Sequence, residues 1–268
     1  MTTATYRRRA RARGGYGFRT VVQMEWRKLR TIRSTWYIMA LFAVSMLGLA
    51  ILALSHESYA QMSAADRASF DPTHDCFIGL VLGQLLTGTL GVLAITSEFS
   101  SGMIRATFAA APSRPLVLTA KAAVLGAVTL AVGEMTVFAA FIAGQAALQA
   151  PAPHATLGQP GVLRAVVIAG AYPALIALTG LGIGAVIRHT AGAICALVGV
   201  LFVLPLLFVT PSLQNAAQNF LPHPMANSLT AVKPLPHTLP PGLVFGLLCA
   251  YAAAALATGA WALASRDA

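Results

Sequence analysis

Long apolar runs alternate with short polar connections along most of the chain. A bilayer span needs about 20 apolar residues, and six such runs are present: 36–54, 77–97, 122–148, 162–187, 192–210 and 242–264. They predict an all-α integral membrane protein with six transmembrane helices. Ahead of the first run, Phe18, Val22, Trp26, Leu29 and Ile32 recur at spacings of three and four, with Arg19, Gln23, Arg27 and Arg30 between them. That pattern predicts an amphipathic helix over 18–35 with a basic face, suited to lying flat on a membrane surface. The alternative is a plain continuation of the first membrane helix. Only Arg188, His189, Thr190 and Ala191 separate the fourth run from the fifth, so a tight turn joins them. Pro173 and Pro205 should kink those two spans. The connection 211–241 carries Pro211, Pro222, Pro224, Pro234, Pro236, Pro240 and Pro241. Proline limits regular helix there, leaving room for short turns between Ser212 and Leu229.

Composition agrees with this picture. Apolar residues make up 57% of the chain and charged residues 10%, against about 25% charge in a soluble domain. Ordinary cytosolic enzymes and disordered chains are excluded on that ground. The net charge is +10, and ten of the 18 Lys and Arg precede residue 36. With six spans, 15 basic residues fall on one side and three on the other. The positive-inside rule then puts both termini in the cytoplasm of a multi-pass cell-membrane protein. Basic residues so placed suit anionic lipid headgroups better than nucleic acid. Residues 1–17, with Arg7, Arg8, Arg9, Arg11 and Arg13, read as a disordered basic extension ahead of one domain, 18–268.

Chemistry-bearing motifs are scarce. No lysine follows a glycine, so there is no phosphate-cradling GxxxxGK[ST] loop, and neither HExxH nor GxSxG occurs. Cys76, Cys195 and Cys249 form no CxxC pair, which argues against a zinc or redox site. The stretch with His56, Glu57, Asp66, Asp71, His74 and Asp75 matches no metal-ligand spacing and reads as a solvated loop. Glu134 is the one firm acid within the spans. Counted from their common membrane face, it reaches nearly the depth of Gln84, so the two are candidate partners. Their contact would serve a translocation path, a proton-linked switch or a hydrogen bond between helices. Gly79, Gly83, Thr87 and Gly91, each four apart, form a small-residue ridge for close helix packing, within the subunit or at a dimer seam.

The most informative stretch begins at Glu98 and continues Phe99, Ser100, Ser101, Gly102, Met103, Ile104, Arg105, Ala106, Thr107, Phe108. It is too polar at its start for lipid and too apolar for a plain loop. A short amphipathic helix on the cytoplasmic face, ended by Pro112 and Pro115 before Lys121 opens span three, would offer a docking surface.

The segments EWRKLRTIRSTW, TSEFSSGMIRATFAAAPSRPLVLTAK and GEMTVFAAFIAGQAAL resemble an ABC type-2 transporter permease of the bacterial export class. The order of parts is similar over nearly the whole chain. The resemblance implies the transmembrane half of an ATP-driven exporter, with a coupling helix between helices 2 and 3. Two copies of a separate ABC ATP-binding subunit would bind ATP and Mg, and this chain would bind no cofactor and no metal. Docking would fall on Glu98, Phe99, Ser101, Gly102, Ile104, Arg105, Thr107 and Phe108, with Arg188 and His189 of the short turn. Trp26, Arg27, Lys28 and Arg30 would belong to the interface helix. A second permease subunit, as a homodimer, would complete the pathway. A drug, antibiotic or lipid-like amphiphile would be the cargo. A non-transporting membrane scaffold or sensor and a membrane-embedded lipid-modifying enzyme are the competing readings.

Overall fold

The computed structural model describes residues 17–55, 59–110, 113–208, 210–233 and 236–265. The basic extension lies outside these residues except for Gly17. So do His56, Glu57, Pro112, Pro234 and Arg266.

Among the described residues the regular secondary structure is helix alone, without strands. Helix α1 (Phe18–Thr31) ends at Ile32, whose backbone is extended, and α2 (Arg33–Ser55) starts afresh. The break favours a separate leading helix over a continuation, although that helix is shorter than 18–35. After a 3-10 turn (Tyr59–Gln61) come two short helices, α3 (Ala64–Ser69) and α4 (Pro72–Asp75). Then follow α5 (Leu80–Ser100), α6 (Met103–Ala110), α7 (Arg114–Ala147) and α8 (Val162–Ile187). Helix α9 (Thr190–Leu206) is interrupted by a π turn at Gly199–Val203. Helices α10 (Pro211–Phe220), α11 (Pro222–Thr230) and α12 (Pro241–Ser265) complete the fold.

Among the described residues five helices, α2, α5, α7, α8 and α12, are long and apolar enough to cross a membrane. The expected span 192–210 is instead the shorter α9. Its π turn sits directly ahead of Pro205, whose ring crowds the carbonyl four residues back. Pro173 lies inside α8 without ending it. Helix α7 departs further from expectation. It begins at Arg114 and runs 34 residues, about 51 Å, against a hydrocarbon core of about 30 Å. Pro115 starts this helix rather than stopping the one before, because the first turn needs no backbone donor. The same holds for Pro211 and Pro222, which open α10 and α11. The proline-rich connection is therefore largely helical.

Helix α8 is the hub, packed along α5, α7 and α12. Its Tyr172, Ile176 and Leu181 are fully buried with Phe42 and Met46 of α2, Ile95 of α5 and Leu125 of α7. The small-residue ridge on α5 serves two partners inside the subunit. Residues four apart on a helix drift by about 40° per step, so the ridge winds around α5. Gly79 and Gly83 face Met46 and Phe42 of α2, whereas Gly91 lies against the backbone of Ala177 on α8. Thr87, buried between them, returns its hydroxyl to the Gly83 carbonyl.

At the end of the bundle opposite α1, Asp66 stays exposed as expected of a solvated stretch, whereas Asp71 and His74 are drawn into an ordered layer. The Asp71 carboxylate caps α4 by accepting from the Thr73 and His74 amides at 3.1 and 3.2 Å. Its second oxygen accepts from the Val232 and Lys233 amides at 2.7 and 3.1 Å. His74 Nδ1 lies 2.7 Å from Thr230 Oγ1, and Lys233 Nζ donates to the Ala68 carbonyl. Burial pushes the His74 imidazole below its ordinary range, against the opposing pull of Asp71. Burial also raises the Cys76 thiol to about 12, so Cys76 stays protonated. Asp71→Ala is expected to cost about 2 kcal/mol, since four buried or part-buried amides lose a charged acceptor. Hydrogen exchange at the Val232 and Lys233 amides should rise accordingly, and unchanged protection there would contradict this role.

Candidate functional site

At the basic end of the bundle, α1 turns Val21 and Glu25 towards Val117, Ala120 and Lys121 of α7. The apolar side of α1 is thus divided. Val21 is covered by protein, while Phe18, Trp26 and Ile32 stay exposed. Arg27 and Arg30 are exposed too, and the Arg30 carbonyl accepts from the Trp36 indole at 3.1 Å.

Four helices meet here in one charged clamp. Lys121 Nζ donates to Glu25 Oε2 at 2.5 Å and to Glu98 Oε1 at 2.7 Å. Lys28 Nζ donates to Glu25 Oε1, Glu98 Oε1 and Thr107 Oγ1, each at 3.1 Å. Thr107 Oγ1 lies 3.3 Å from Glu98 Oε2. Helix α1 supplies Glu25 and Lys28, α5 supplies Glu98, α6 supplies Thr107 and α7 supplies Lys121. Two carboxylates balance two ammonium groups. Glu25, Glu98 and Lys121 are buried, while the Lys28 side chain keeps 22% exposure. Beside the clamp a cleft of about 210 Å³ opens between α1, α5 and α7, walled by Leu29, Ile32, Ala94, Met103, Val124 and Leu125.

Gly102, with φ of 70°, lets the chain turn sharply out of α5 and into α6. Ile104 and Thr107 face inwards and are buried. Ser101, Gly102, Met103, Arg105 and Ala106 remain exposed. Phe99 stands in the last turn of α5 and Phe108 within α6. The Arg188 guanidinium stacks over the Phe99 ring at 5.2 Å and donates to the Ala262 carbonyl at 2.7 Å. Arg114 stacks over Phe108 at 5.4 Å and donates to the Leu263 carbonyl at 2.8 Å. Both arginines thereby satisfy carbonyls in the last turn of α12, where a helix has no donors of its own and a cation is favoured. Arg188 holds a left-handed conformation that closes α8. Exposed His189 caps α9 by accepting from the Gly192 amide.

The structure thus brings Glu98, Thr107 and Lys28 together, and Phe99 with Arg188. It alters the reading of Glu98, whose carboxylate points into the clamp and not outwards. Ile104 and Thr107 are likewise turned away from the surface. Glu25, Lys121 and Arg114 were missed by sequence reasoning. The usable signals were the Val21, Glu25, Lys28 spacing on one helical face and the helix-starting position of Pro115, which puts Lys121 inside α7.

The expected Glu134–Gln84 pair does not form. Gln84 bonds the Tyr172 hydroxyl through Oε1 at 2.6 Å and His223 Nδ1 through Nε2 at 2.6 Å. The Tyr172 hydroxyl also lies 3.0 Å from the Pro222 carbonyl. This polar chain ties α11 to α5 and α8, and burial lowers the His223 imidazole below its ordinary range. Glu134 sits instead against Gly170 of α8. No group of three His, Cys, Asp or Glu that could hold a metal occurs among the described residues.

The family model for the ABC-2 family transporter protein matches residues 19–266. No curated protein matches the chain.

Proposed function

The chain belongs to the ABC-2 transporter family, and from that membership we propose that it is the permease subunit of an ATP-driven exporter. Membrane domains of this family are transport components that associate with an ABC ATP-binding subunit. In this reading the basic end faces the cytoplasm and α6 is the coupling helix. Two copies of the ATP-binding subunit, carrying ATP and Mg, dock against the exposed Met103, Arg105 and Ala106, and against His189 in the adjoining turn. Glu98 acts from beneath, as part of the clamp. Helix α9 is the sixth crossing, returning both termini to the cytoplasmic side of the cell membrane. Its 17 residues span about 25 Å. The exposed Phe18, Trp26 and Ile32 seat α1 among anionic headgroups. Two copies of the chain form one pathway, and its cargo is an amphiphile.

One observation supports this reading most directly. Helix α6 presents an exposed face outwards, while inwardly it is bound through Thr107 to a clamp shared with α1, α5 and α7. A push on α6 therefore reaches three other helices through hydrogen bonds already in place.

The test is co-purification with the ATP-binding subunit. Met103→Asp together with Arg105→Glu is expected to cut the associated subunit at least tenfold. Thermal unfolding of the isolated chain should stay within about 0.5 kcal/mol, as for exposed substitutions generally. Association at the wild-type level in the double variant would overturn α6 as the docking helix.

A further inference from the structure

We infer that the notch formed by Glu134 and Gly170 binds the cargo, and that the cargo carries a positive charge on a largely apolar body. This rests on the permease reading and names the substrate class.

Glu134 stands 13 residues from Lys121 and 13 from Ala147, the end of α7. It is therefore about 20 Å from the clamp along the helix, near mid-membrane. The other charged residues of the described chain lie towards one end of the bundle or the other. Among the described residues no ion pair or hydrogen bond neutralises this carboxylate. A charge at that depth is costly in lipid and is kept for a partner or a wet cavity.

The surroundings are built for it. A Cβ on Gly170 would lie 2.5 Å from Glu134 Oε2 and 2.6 Å from its Cδ. The carboxylate thus occupies space that only a glycine leaves open. One residue before Gly170, the Ala169 carbonyl lacks its helical donor, because Pro173 has no N–H. Carboxylate and carbonyl are both acceptors, one on each of the two packed helices. Glu134 is half-buried, so the notch is reachable. Along α7 it is flanked by exposed Leu130 and Met135 and by half-buried Phe138. Leucine, an adaptable thioether and an aromatic ring suit an apolar body of loose shape.

The test uses two ions of the same shape and opposite charge, tetraphenylphosphonium and tetraphenylborate. With the full chain in nanodiscs of neutral lipid, the phosphonium should bind saturably and the borate should not. Glu134→Gln should weaken phosphonium binding at least tenfold, with Glu134→Asp intermediate. Should Glu134→Gln fail to fold, the wild-type chain still decides the matter. A hydrophobic carbodiimide should label Glu134, phosphonium should protect it, and borate should not. Equal binding of the two ions, undiminished binding to a folded Glu134→Gln chain, or no protection would overturn the proposal. These measurements need neither ATP nor a partner, so they stand apart from the docking test. Phosphonium binding at Glu134 without any association of an ATP-binding subunit would sink the permease reading and leave the cation site.

Discussion

Replacing Lys121 by Met is expected to destabilise the chain by about 3–5 kcal/mol, as breaking a buried ion pair does when the partner charges stay behind. The substitution leaves two carboxylates, Glu25 and Glu98, facing one ammonium group. Lys28 sits in the same clamp with 22% of its side chain exposed, so water can replace part of what it supplies. Lys28→Met should therefore cost less, about 1.5–3 kcal/mol, the value of hydrogen bonds to charged groups. Thermal unfolding of the purified chain in detergent separates the two. The decisive comparison is the double variant Glu25→Gln with Lys121→Met. It restores one acid to one base, and should be more stable than Lys121→Met alone. Simple addition of the two single losses would show that the four charges do not act as a unit.

The second large effect is expected at Gly91. A Cβ there would fall inside the carbonyl group of Ala177. The obstacle is backbone on the hub helix, so no side-chain rotation relieves it. Gly91→Ala should force α5 and α8 apart and cost about 3 kcal/mol, the upper part of the range for overpacking. Protein recovered from the membrane fraction should fall with it. Gly246 of α12 supplies the control, because nothing lies within 4 Å of a Cβ built there, and Gly246→Ala should leave stability to thermal unfolding unchanged or raise it by up to about 1 kcal/mol. A stable Gly91→Ala chain would mean that α5 and α8 can separate without loss.

The apolar runs were legible because a bilayer demands about 20 such residues in a row, a signal that survives without tertiary knowledge. Helix ends were less so. Pro115, Pro211 and Pro222 read as breakers, yet each opens a helix, since a ring that forbids continuation is harmless in the first turn. The end of α9 was misjudged because Leu207 and Phe208 are apolar without belonging to the helix. Within the candidate site, the stretch from Glu98 to Phe108 was found, but its sidedness was not. Gly102 turns the chain between α5 and α6, so Glu98 and Arg105 lie on separate helices, the one buried and the other exposed. Glu25 and Lys121 are 96 residues apart, and no local pattern links them. Gln84 and Glu134 do share a depth, but depth fixes only one coordinate. Rotation about each helix axis sends Gln84 to Tyr172 and His223, and Glu134 to Gly170.

Arg188 over Phe99 of α5 and Arg114 over Phe108 of α6 bear on how the subunit is made. Arg114 and Arg188 donate to the carbonyls of Leu263 and Ala262, which leave the ribosome some 75 to 150 residues later. Until α12 has been inserted, both guanidinium groups lack these acceptors, and Phe99 and Phe108 lack anchored cations above them. On the permease reading, the surface proposed for docking is therefore finished only when the last helix is in place. A half-made chain presents a different surface, and a partner that reads the finished one would pass it over.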